Sequence, residues 1–380
     1  MSEILDVAIE KLVYGGDGLA RADGRVVLIP FVLPGERVRA RVTKTSGSFV
    51  RAEALEILTP AAARETAACP YFRRCGGCHY QHMLYSEELT AKAAILREAL
   101  RRIGKIEFPG EIGVVSGEPW SYRNRIQLHI AKGRAGYFQA DSRRLCPIEE
   151  CPIASPALNE AIRTLHKLLP RLGPREITLE LFTNEAEIQV SPPNRIFDSI
   201  GGPAPLDYAG LQVSRHSFFQ VNRFLIGDLV ETVLDGATGG TAFDLYAGAG
   251  LFSRALAARF GAVTAVESGA SSHHDSVANA QRGGTPWEAV HSPVEPFLAE
   301  CAITPDLIVA DPPRAGLGPN VVRDLLRLRP PQLTIVSCDP STLARDLAQL
   351  LAAYSIRKMT LVDLFPRTAH METVVHLQAV

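Results

Sequence analysis

The chain has 380 residues, which is enough for two or three domains, each with a buried core. Hydrophobic residues make up 46% and charged residues 21%, while a run of about 18 apolar residues and a charged-then-apolar leader are both absent, so we expect a cytoplasmic globular protein. The net charge is −1, but the charges are unevenly distributed, since residues 64–144 hold 14 Lys and Arg against 8 Asp and Glu. This excess favours a basic module that contacts nucleic acid. An ordinary solvated surface is the alternative.

Residues 1–58 consist of short alternating segments separated by turns. Apolar and polar residues alternate over Asp6–Val13, Arg25–Phe31 and Arg37–Thr45, and glycine-rich turns stand between them. About five short strands in so few residues predict a small OB-type β-barrel. The pattern resembles a TRAM domain, an RNA-binding barrel attached to RNA-modifying enzymes. An unrelated small barrel is the alternative.

Five of the seven cysteines lie between residues 69 and 151. An odd count and this grouping argue against a disulfide framework and favour metal binding. Three thiols plus a distant fourth suit tetrahedral zinc or an iron–sulfur cluster. A pair of cysteines with two residues between them, such as Cys75 and Cys78, also occurs in redox sites and by chance. Either of two Cys-Pro-Ile sequences supplies the fourth thiol. The candidates are Cys69, Cys75, Cys78, and Cys146 or Cys151.

Residues 59–207 are expected to mix helices and strands, with helices over Ser86–Ile103 and Pro156–Leu169. A basic and aromatic segment precedes a strand predicted over Ile126–Ile130. Arginine pairs with phosphate in a bidentate manner, and a tyrosine ring stacks on a splayed base. An edge strand with solvated arginines is the alternative. The candidate RNA contacts are Tyr122, Arg123, Asn124 and Arg125.

From Val213 onward, strand and helix patterns alternate, which predicts a parallel sheet of the α/β Rossmann-like class. An apolar strand ends at Leu245 and leads into a turn that holds Gly248 and Gly250. Such glycines let the backbone approach a ligand at the carboxyl end of a strand. The next strand ends at Glu267, a candidate partner for ribose hydroxyls. A nucleotide site of another kind remains possible, but the Gly-Lys-Ser/Thr of a P-loop is missing here.

Two further strands end at polar residues. Leu307–Ala310 leads into Asp311, and Leu333–Val336 leads into Ser337 and Cys338. Glu372 follows 34 residues after Cys338, just before the terminal strand. A thiol beside a cofactor site is a candidate nucleophile and a nearby carboxylate a candidate base, although buried inert cysteines are common.

Four motifs occur in order: Ser217–Asn222, Asp244–Gly250, Asp311–Arg314, and Ser337–Cys338 with Phe365–Glu372. Together they resemble the RNA uridine-5-methyltransferase family over the second half of the chain. The resemblance implies a class I methyltransferase domain at residues 208–380 that uses S-adenosylmethionine. It also implies a TRAM domain at residues 1–58 and a central RNA-recognition domain at 59–207 that carries a metal cluster.

The resemblance also implies roles for individual residues. Cys338 is expected to add to carbon 6 of uracil, and Glu372 to remove the proton from carbon 5. His370 is as consistent with packing as with catalysis. Ala247, Leu251 and Asp339 depart from the family pattern, and Asp339 adds charge that raises the pKa of a nearby thiol unless it is paired. The cofactor residues implied are Gln220, Tyr246, Gly248, Gly250, Glu267 and Asp311.

For the metal, the resemblance implies a 4Fe-4S cluster rather than zinc, and favours Cys151 over Cys146 as its fourth ligand. The expected substrate is 23S ribosomal RNA, with transfer RNA as the alternative, and the expected enzyme is a monomer. Three other hypotheses stay open at this point: a small-molecule methyltransferase, a non-catalytic RNA-binding or assembly protein, and methylation of cytosine instead of uracil.

Overall fold

A computed structural model describes residues 3–47, 49–140, 142–173, 175–282 and 284–380. The chain folds into two compact units that are not consecutive in sequence. The first unit contains the described parts of residues 1–96, 136–152 and 365–370. The second contains those of residues 97–135, 153–364 and 371–380. Within the described residues, no helix combines the length and apolar character needed to cross a bilayer.

The first unit begins with a sheet of six strands in the order β1-β5-β6-β4-β3-β2, one strand more than the sequence predicts. Apolar side chains alternate along these strands and pack into one core that includes Val7, Val27, Ile29 and Val38. Burial of one face explains the period of two in the sequence. The strands are β1 (Ile4–Ala8), β2 (Lys11–Leu12), β3 (Asp17–Ala22), β4 (Arg25–Pro30), β5 (Arg37–Ser46) and β6 (Phe49–Thr59).

The middle of the chain contributes to both units. The elements are α1 (Tyr85–Ala99), a π-helical turn (Leu100–Gly104), β7 (Gly113–Val115), β8 (Arg125–Ala131), β9 (Arg134–Phe138), β10 (Leu145–Pro147), α2 (Pro156–Leu172), β11 (Ile177–Thr183), β12 (Ile188–Ser191), a 3-10 turn (Arg195–Phe197), β13 (Leu206–Tyr208) and β14 (Leu211–Val213). In the first unit, β10 pairs with β9. In the second, β11 pairs with β8 and β12. Ser155 caps α2 by accepting a hydrogen bond from the Leu158 amide, and Pro156 occupies the first turn.

The rest of the second unit alternates helices and strands. The elements are α3 (Ile226–Leu234), β15 (Gly239–Leu245), α4 (Leu251–Ala257), β16 (Phe260–Glu267), α5 (Ala270–Arg282), β17 (Glu288–His291), α6 (Val294–Glu300), β18 (Leu307–Ala310), α7 (Gly318–Leu328), β19 (Gln332–Ser337), α8 (Pro340–Leu350), β20 (Tyr354–Val362) and β21 (Glu372–Ala379).

These strands form an eight-stranded sheet in the order β17-β16-β15-β18-β19-β21-β20-β7. Strands β15 to β19 pair in parallel, and β21 runs antiparallel between β19 and β20. All four residues of β18 are buried, as in a strand covered on both faces. The α/β architecture predicted from the sequence is confirmed. The carboxyl ends of the parallel strands therefore share one edge of the sheet, where ligands bind in folds of this class.

Candidate active site

Strand register brings the predicted nucleophile and base together. In the antiparallel pair β19–β21, Ser337 lies opposite Thr373. Cys338 follows Ser337 and Glu372 precedes Thr373, so the two side chains come level at the end of the paired strands. On the other side of β19, Ala310 is the last residue of β18, and Asp311 follows it at the same edge. The structure therefore groups Cys338, Glu372 and Asp311.

The turn after β19 fixes the position of Cys338. Asp339 is the N-cap of α8, and its Oδ1 accepts hydrogen bonds from the amides of Ser341 at 2.8 Å and Thr342 at 3.1 Å. Pro340 occupies the first helical turn, where its missing N–H costs nothing. Because the Asp339 carboxylate caps a helix N-terminus, its charge is offset by the helix dipole and by two amides. This departure from the family pattern is thus accommodated locally.

Burial and neighbouring charges raise the pKa values of Cys338, Glu372 and Asp311. Burial raises the pKa of the Cys338 thiol to about 11, the negative charges of Glu372 and Asp311 act in the same direction, and the positive charge of Arg314 opposes them. Burial also raises the pKa of Glu372 well above its ordinary value, with Asp311 adding to the shift and Arg314 reducing it. Among the described residues, Glu372 Oε1 is buried and has no hydrogen-bond partner. The site thus holds a thiol and a carboxyl group whose pKa values are both raised, beside a cation that favours the thiolate.

The glycine-rich turn after β15 leaves open space next to its backbone. Tyr246, Gly248 and Gly250 all adopt positive φ, at 63°, 58° and 94°. This is an unusual conformation for tyrosine. A Cβ added to Gly250 would lie 2.7 Å from the ring of Trp287, whereas one added to Gly248 would meet its nearest neighbour, the Phe218 carbonyl oxygen, at 3.9 Å. Gly250 is needed for packing, and Gly248 borders space that a ligand could fill.

Two acids support this turn. Glu267 accepts hydrogen bonds from the amides of Gly248 at 2.9 Å and Gly269 at 2.5 Å, so it connects the turns that follow β15 and β16. Asp244 lies within β15 and accepts a hydrogen bond from the Ser253 hydroxyl at 2.5 Å. Burial raises the pKa of Asp244 to about 7. Burial likewise raises the pKa of Asp311 to about 7, with the Asp244 charge adding to it.

The segment Ser217–Asn222 packs directly against the basic segment at residues 122–125. The Asn124 side chain donates to the Gln220 carbonyl at 3.1 Å, and its amide donates to the Val221 carbonyl at 2.9 Å. Arg125 Nη1 donates to the Ser217 carbonyl at 2.9 Å. The Ser217 hydroxyl in turn donates to Asp275 at 2.5 Å. Gln220 itself is buried, next to the chain that borders Gly248.

The four candidate RNA contacts occupy different environments. Tyr122 and Asn124 are fully buried, so in this structure they hold the segment in place rather than face solvent. Arg123 Nε donates to the Arg125 carbonyl at 2.9 Å. The Arg125 guanidinium lies 4.2 Å from the centre of the Phe182 ring, and its Nε and Nη2 are buried with no hydrogen-bond partner among the described residues. RNA contact by this segment stays a prediction.

A polar cleft of about 430 Å³ lies beside these segments in the second unit. The Phe218 side chain at its wall is 62% exposed, although most phenylalanines are buried. Two arginines give the cleft positive charge, and a histidine and Glu180 lie beside them. The residues that line the cleft include Arg125, Glu180, Arg215, His216 and Phe218.

The candidate metal ligands lie together in the first unit. All seven cysteines of the chain are thiols. Burial raises the pKa of Cys75 to about 12, with Cys151, Cys146 and Cys69 adding to the shift. Burial also raises the pKa of Cys78, and the neighbouring thiols that add to it are Cys151, Cys75 and Cys69. Even so, within the described ranges no group of three or more His, Cys, Asp or Glu side chains is arranged to hold a metal ion.

Comparison with known proteins identifies the family. Residues 302–380 match the model of the tRNA (uracil-5-)-methyltransferase family, and residues 2–55 match the TRAM domain. The chain is 31% identical to an uncharacterized RNA methyltransferase of Aquifex aeolicus, with 98% of each chain covered. It is 34% identical to another from Streptomyces avermitilis, covering 100% of this chain and 99% of that one. The chain belongs to the RNA uracil-5-methyltransferase family.

As a member of this family, the protein is an S-adenosylmethionine-dependent RNA methyltransferase. Its fold is similar to that of the Pyrococcus abyssi tRNA (uracil-54, C5)-methyltransferase in complex with S-adenosyl-L-homocysteine, with a TM-score of 0.76 and 24% identity. That likeness covers 98% of this chain and 100% of the other. The TRAM domain and the class I methyltransferase fold predicted from the sequence are confirmed.

Sequence reasoning gave no role to three charged residues of this methyltransferase that the structure places at or beside the site. Arg314 opposes the acids around Cys338, Asp244 adds to the charge near Asp311, and Asp275 anchors the segment that contains Gln220. Arg314 follows two prolines after a buried strand, a signal that a charged residue is held at the sheet edge. Asp275 lies in an ordinary helical pattern, so the sequence offered no comparable signal.

Proposed function

We propose that this enzyme methylates carbon 5 of a uridine in RNA through a covalent intermediate. The Cys338 thiolate adds to carbon 6 of the uracil ring, and the electron pair of the double bond moves toward carbon 5 as an enolate. S-adenosylmethionine would supply the methyl group to carbon 5, with cleavage of its sulfur–methyl bond, and leave as S-adenosylhomocysteine. Glu372 then removes the proton from carbon 5, the double bond re-forms, and the bond between sulfur and carbon 6 breaks. The ring leaves methylated and the thiolate is restored.

One observation carries this proposal: Cys338 and Glu372 come level at the edge of the sheet that also bears the glycine-rich turn. Adduct formation and adduct release need a nucleophile and a base on the same ring. The unpaired Glu372 Oε1 is an acceptor that a bound pyrimidine is able to satisfy. Arg314 favours the thiolate over the thiol. The thiolate is the form that attacks.

The cofactor is proposed to lie along the turn after β15. Gly248 leaves room for it, while Tyr246, Gln220 and Asp311 stand around the same edge. Glu267 binds backbone amides through both oxygens, and each carboxylate oxygen has capacity for a further donor such as a ribose hydroxyl. Gly250 acts indirectly, because its missing Cβ lets the turn pack on Trp287.

For the RNA, we propose that the polar cleft receives nucleotides next to the target. The exposed Phe218 ring offers a face for a base, and Arg215 offers positive charge for phosphates. We propose a uridine of 23S ribosomal RNA as the target. A transfer RNA uridine is the second candidate, and it is favoured by the likeness in fold to a transfer RNA methyltransferase.

We further propose that Cys69, Cys75, Cys78 and Cys151 hold a 4Fe-4S cluster. The chemistry of the donor set fits, because all four thiols belong to one unit and Cys151, Cys75 and Cys69 lie near enough to Cys78 to raise its pKa. Iron, sulfide and zinc analysis of anaerobically purified protein tests this. We expect iron and sulfide to be lost from Cys151→Ser but retained by Cys146→Ser; zinc in place of iron would contradict the proposal.

The proposed reaction is tested by incubating the purified enzyme and S-adenosylmethionine with transcripts of 23S ribosomal RNA or transfer RNA, followed by nucleoside mass spectrometry. We expect 5-methyluridine at one position of the 23S ribosomal RNA, whereas 5-methyluridine in the transfer RNA alone would favour the second candidate. Cys338→Ala should yield none, whereas Cys301→Ala, which changes another thiol of the second unit, should act as the wild type does. Methylated cytosine, or full activity of Cys338→Ala, would contradict the proposal.

A further inference from the structure

The six residues Phe365–His370 connect β20 to β21 and end two positions before Glu372. Although both strands belong to the second unit, these six residues are part of the first unit. The chain thus passes from residues of the first unit into the strand that begins at Glu372. The hydrogen bonds of Phe365–His370 show which residues hold this connection in place.

A fully buried ion pair on α1 binds this connection at two points. Lys92 Nζ lies 2.8 Å from Glu88 Oε1, and both side chains have 0% exposure. The same Lys92 Nζ donates to the Phe365 carbonyl at 3.1 Å. The Arg367 amide donates to Glu88 Oε1 at 2.8 Å. Each charged group thus also binds a main-chain atom of this loop.

Burial of such a pair is weak evidence for a role in stability. Removing two charges from water costs about as much as their attraction returns, and hydrophobic pairs of the same size are often as stable. Lysine and glutamate are seldom fully buried for this reason. The pair does, however, specify geometry, because charge-assisted hydrogen bonds fix both distance and direction.

Further contacts, made by residues outside α1, hold Arg367 in place. Its carbonyl accepts hydrogen bonds from the amides of His79 at 2.9 Å and Tyr80 at 3.1 Å, in the residues that directly follow Cys78. Its guanidinium binds Glu65 at 3.0 Å and the Met83 carbonyl at 2.7 Å. Arg367 has a φ of 67°, which non-glycine residues rarely adopt. Surroundings that impose an unfavourable backbone conformation occur preferentially at functional sites.

The loop between Arg367 and the base is also ordered by its own hydrogen bonds. The Thr368 hydroxyl donates to the Phe365 carbonyl at 2.8 Å, and the His370 amide donates to the Thr368 hydroxyl at 3.2 Å. The Ala369 amide donates to His79 Nδ1 at 3.2 Å. Each residue from 367 to 370 is thereby fixed, so a displacement at Arg367 is passed along the chain to Glu372.

We propose that the buried Glu88–Lys92 pair is a positioning device for the catalytic base: by clasping Phe365 and Arg367 it sets where Glu372 stands against the substrate ring. This inference rests on the proposed function. A displacement of about 1 Å in a catalytic group costs up to about 100-fold in rate. Since the base acts only after methyl transfer, loosening the clasp slows the release of the RNA from Cys338 and leaves the earlier steps intact.

The test uses the full-length double variant Glu88→Leu/Lys92→Met, which replaces the pair with apolar side chains of similar size. We expect kcat to fall about tenfold or more, KM for the RNA to stay within about twofold, and methylated RNA joined to the protein to accumulate in denaturing gels. A second variant, Glu88→Gln/Lys92→Met, keeps an acceptor oxygen for the Arg367 amide, so a smaller effect in the same direction is expected. The control Glu98→Leu/Arg102→Met changes an i,i+4 pair that includes an exposed arginine, and should match the wild type.

The outcomes separate the two proposals. Wild-type turnover in both pair variants, or slow turnover without accumulated adduct, would overturn the positioning role while leaving the methylation reaction intact. If the apolar variant does not fold, the milder variant is judged by the same three measurements. A wild-type enzyme that forms neither 5-methyluridine nor an adduct would instead overturn the proposed function itself.

Discussion

Cys338 and the three cysteines that precede α1 lie in contrasting surroundings. Cys338 stands at the end of a buried strand, where pairing with β21 determines its neighbours. Cys69, Cys75 and Cys78 lie between β6 and α1, where the chain forms turns and isolated bridges. Strand register is a strong constraint on side-chain position, whereas an irregular segment depends on what it binds. Paired strands thus fix the position of Cys338, whereas turns and isolated bridges hold the other three cysteines.

The largest effect is expected from substitution of Glu372, the proposed base, which the register of β19 and β21 places level with Cys338. Glu372→Gln keeps the size of the side chain but cannot accept the carbon-5 proton. We expect multiple-turnover methylation to fall about 10²–10⁴-fold, with RNA retained on Cys338. Time courses of 5-methyluridine and denaturing gels measure both. Glu288→Gln, at the exposed start of β17, serves as the control. Normal turnover by Glu372→Gln would show that Glu372, which the strand register places level with Cys338, is not the base.

A smaller effect is expected at the turn beside the cofactor. Gly248→Val puts a side chain into the open space and strains a residue with positive φ, at a cost of about 1–3 kcal/mol. We expect the affinity for S-adenosylhomocysteine, measured by calorimetry, to fall at least about tenfold, which corresponds to about 1.4 kcal/mol.

Gly227→Val is the matched control for that substitution, since Gly227 lies in α3 with open space around it and an ordinary helical φ. Its affinity should equal that of the wild type. Unchanged affinity in Gly248→Val would move the cofactor away from this turn.

The smallest effect concerns pH. The pKa of Cys338 is raised to about 11, so the thiolate fraction, and with it the rate of adduct formation, should increase as pH rises through the alkaline range. Arg314→Gln removes a charge that favours the thiolate and moves this limb to higher pH. A shift of one unit lowers the rate at fixed pH about tenfold. Single-turnover rates against pH measure it, and an unmoved profile would remove Arg314 from the account.

The sequence predicted the parts of this molecule whose signal is local. Strand ends, the glycine-rich turn and the alternation of the N-terminal strands are visible in short windows, so the α/β domain, the barrel and the edge with Cys338 followed from them. The helix predicted over Ser86–Ile103 is shorter, since α1 ends at Ala99 and a π-helical turn completes it.

What the sequence could not supply depends on contacts between distant residues. Tyr122 and Asn124 look like surface groups, yet pairing with Ser217–Asn222 buries them. Glu88 and Lys92 look like an exposed helical pair, but the connection after β20 covers them. No local pattern records that residues 365–370 belong to the first unit. Tertiary packing decides these positions, and it acts across 96 residues of chain between Asn124 and Gln220 and 273 between Lys92 and Phe365.

The most direct test of the account is a search for the covalent bond itself. RNA that carries 5-fluorouridine has no carbon-5 proton for Glu372 to remove once the methyl group is added, so the adduct cannot resolve. We predict a stable protein–RNA complex with S-adenosylmethionine present, and peptide mass spectrometry should place the RNA on Cys338. Attachment to another residue, or methylation of ordinary uridine RNA with no complex on the fluorinated RNA, would contradict the account.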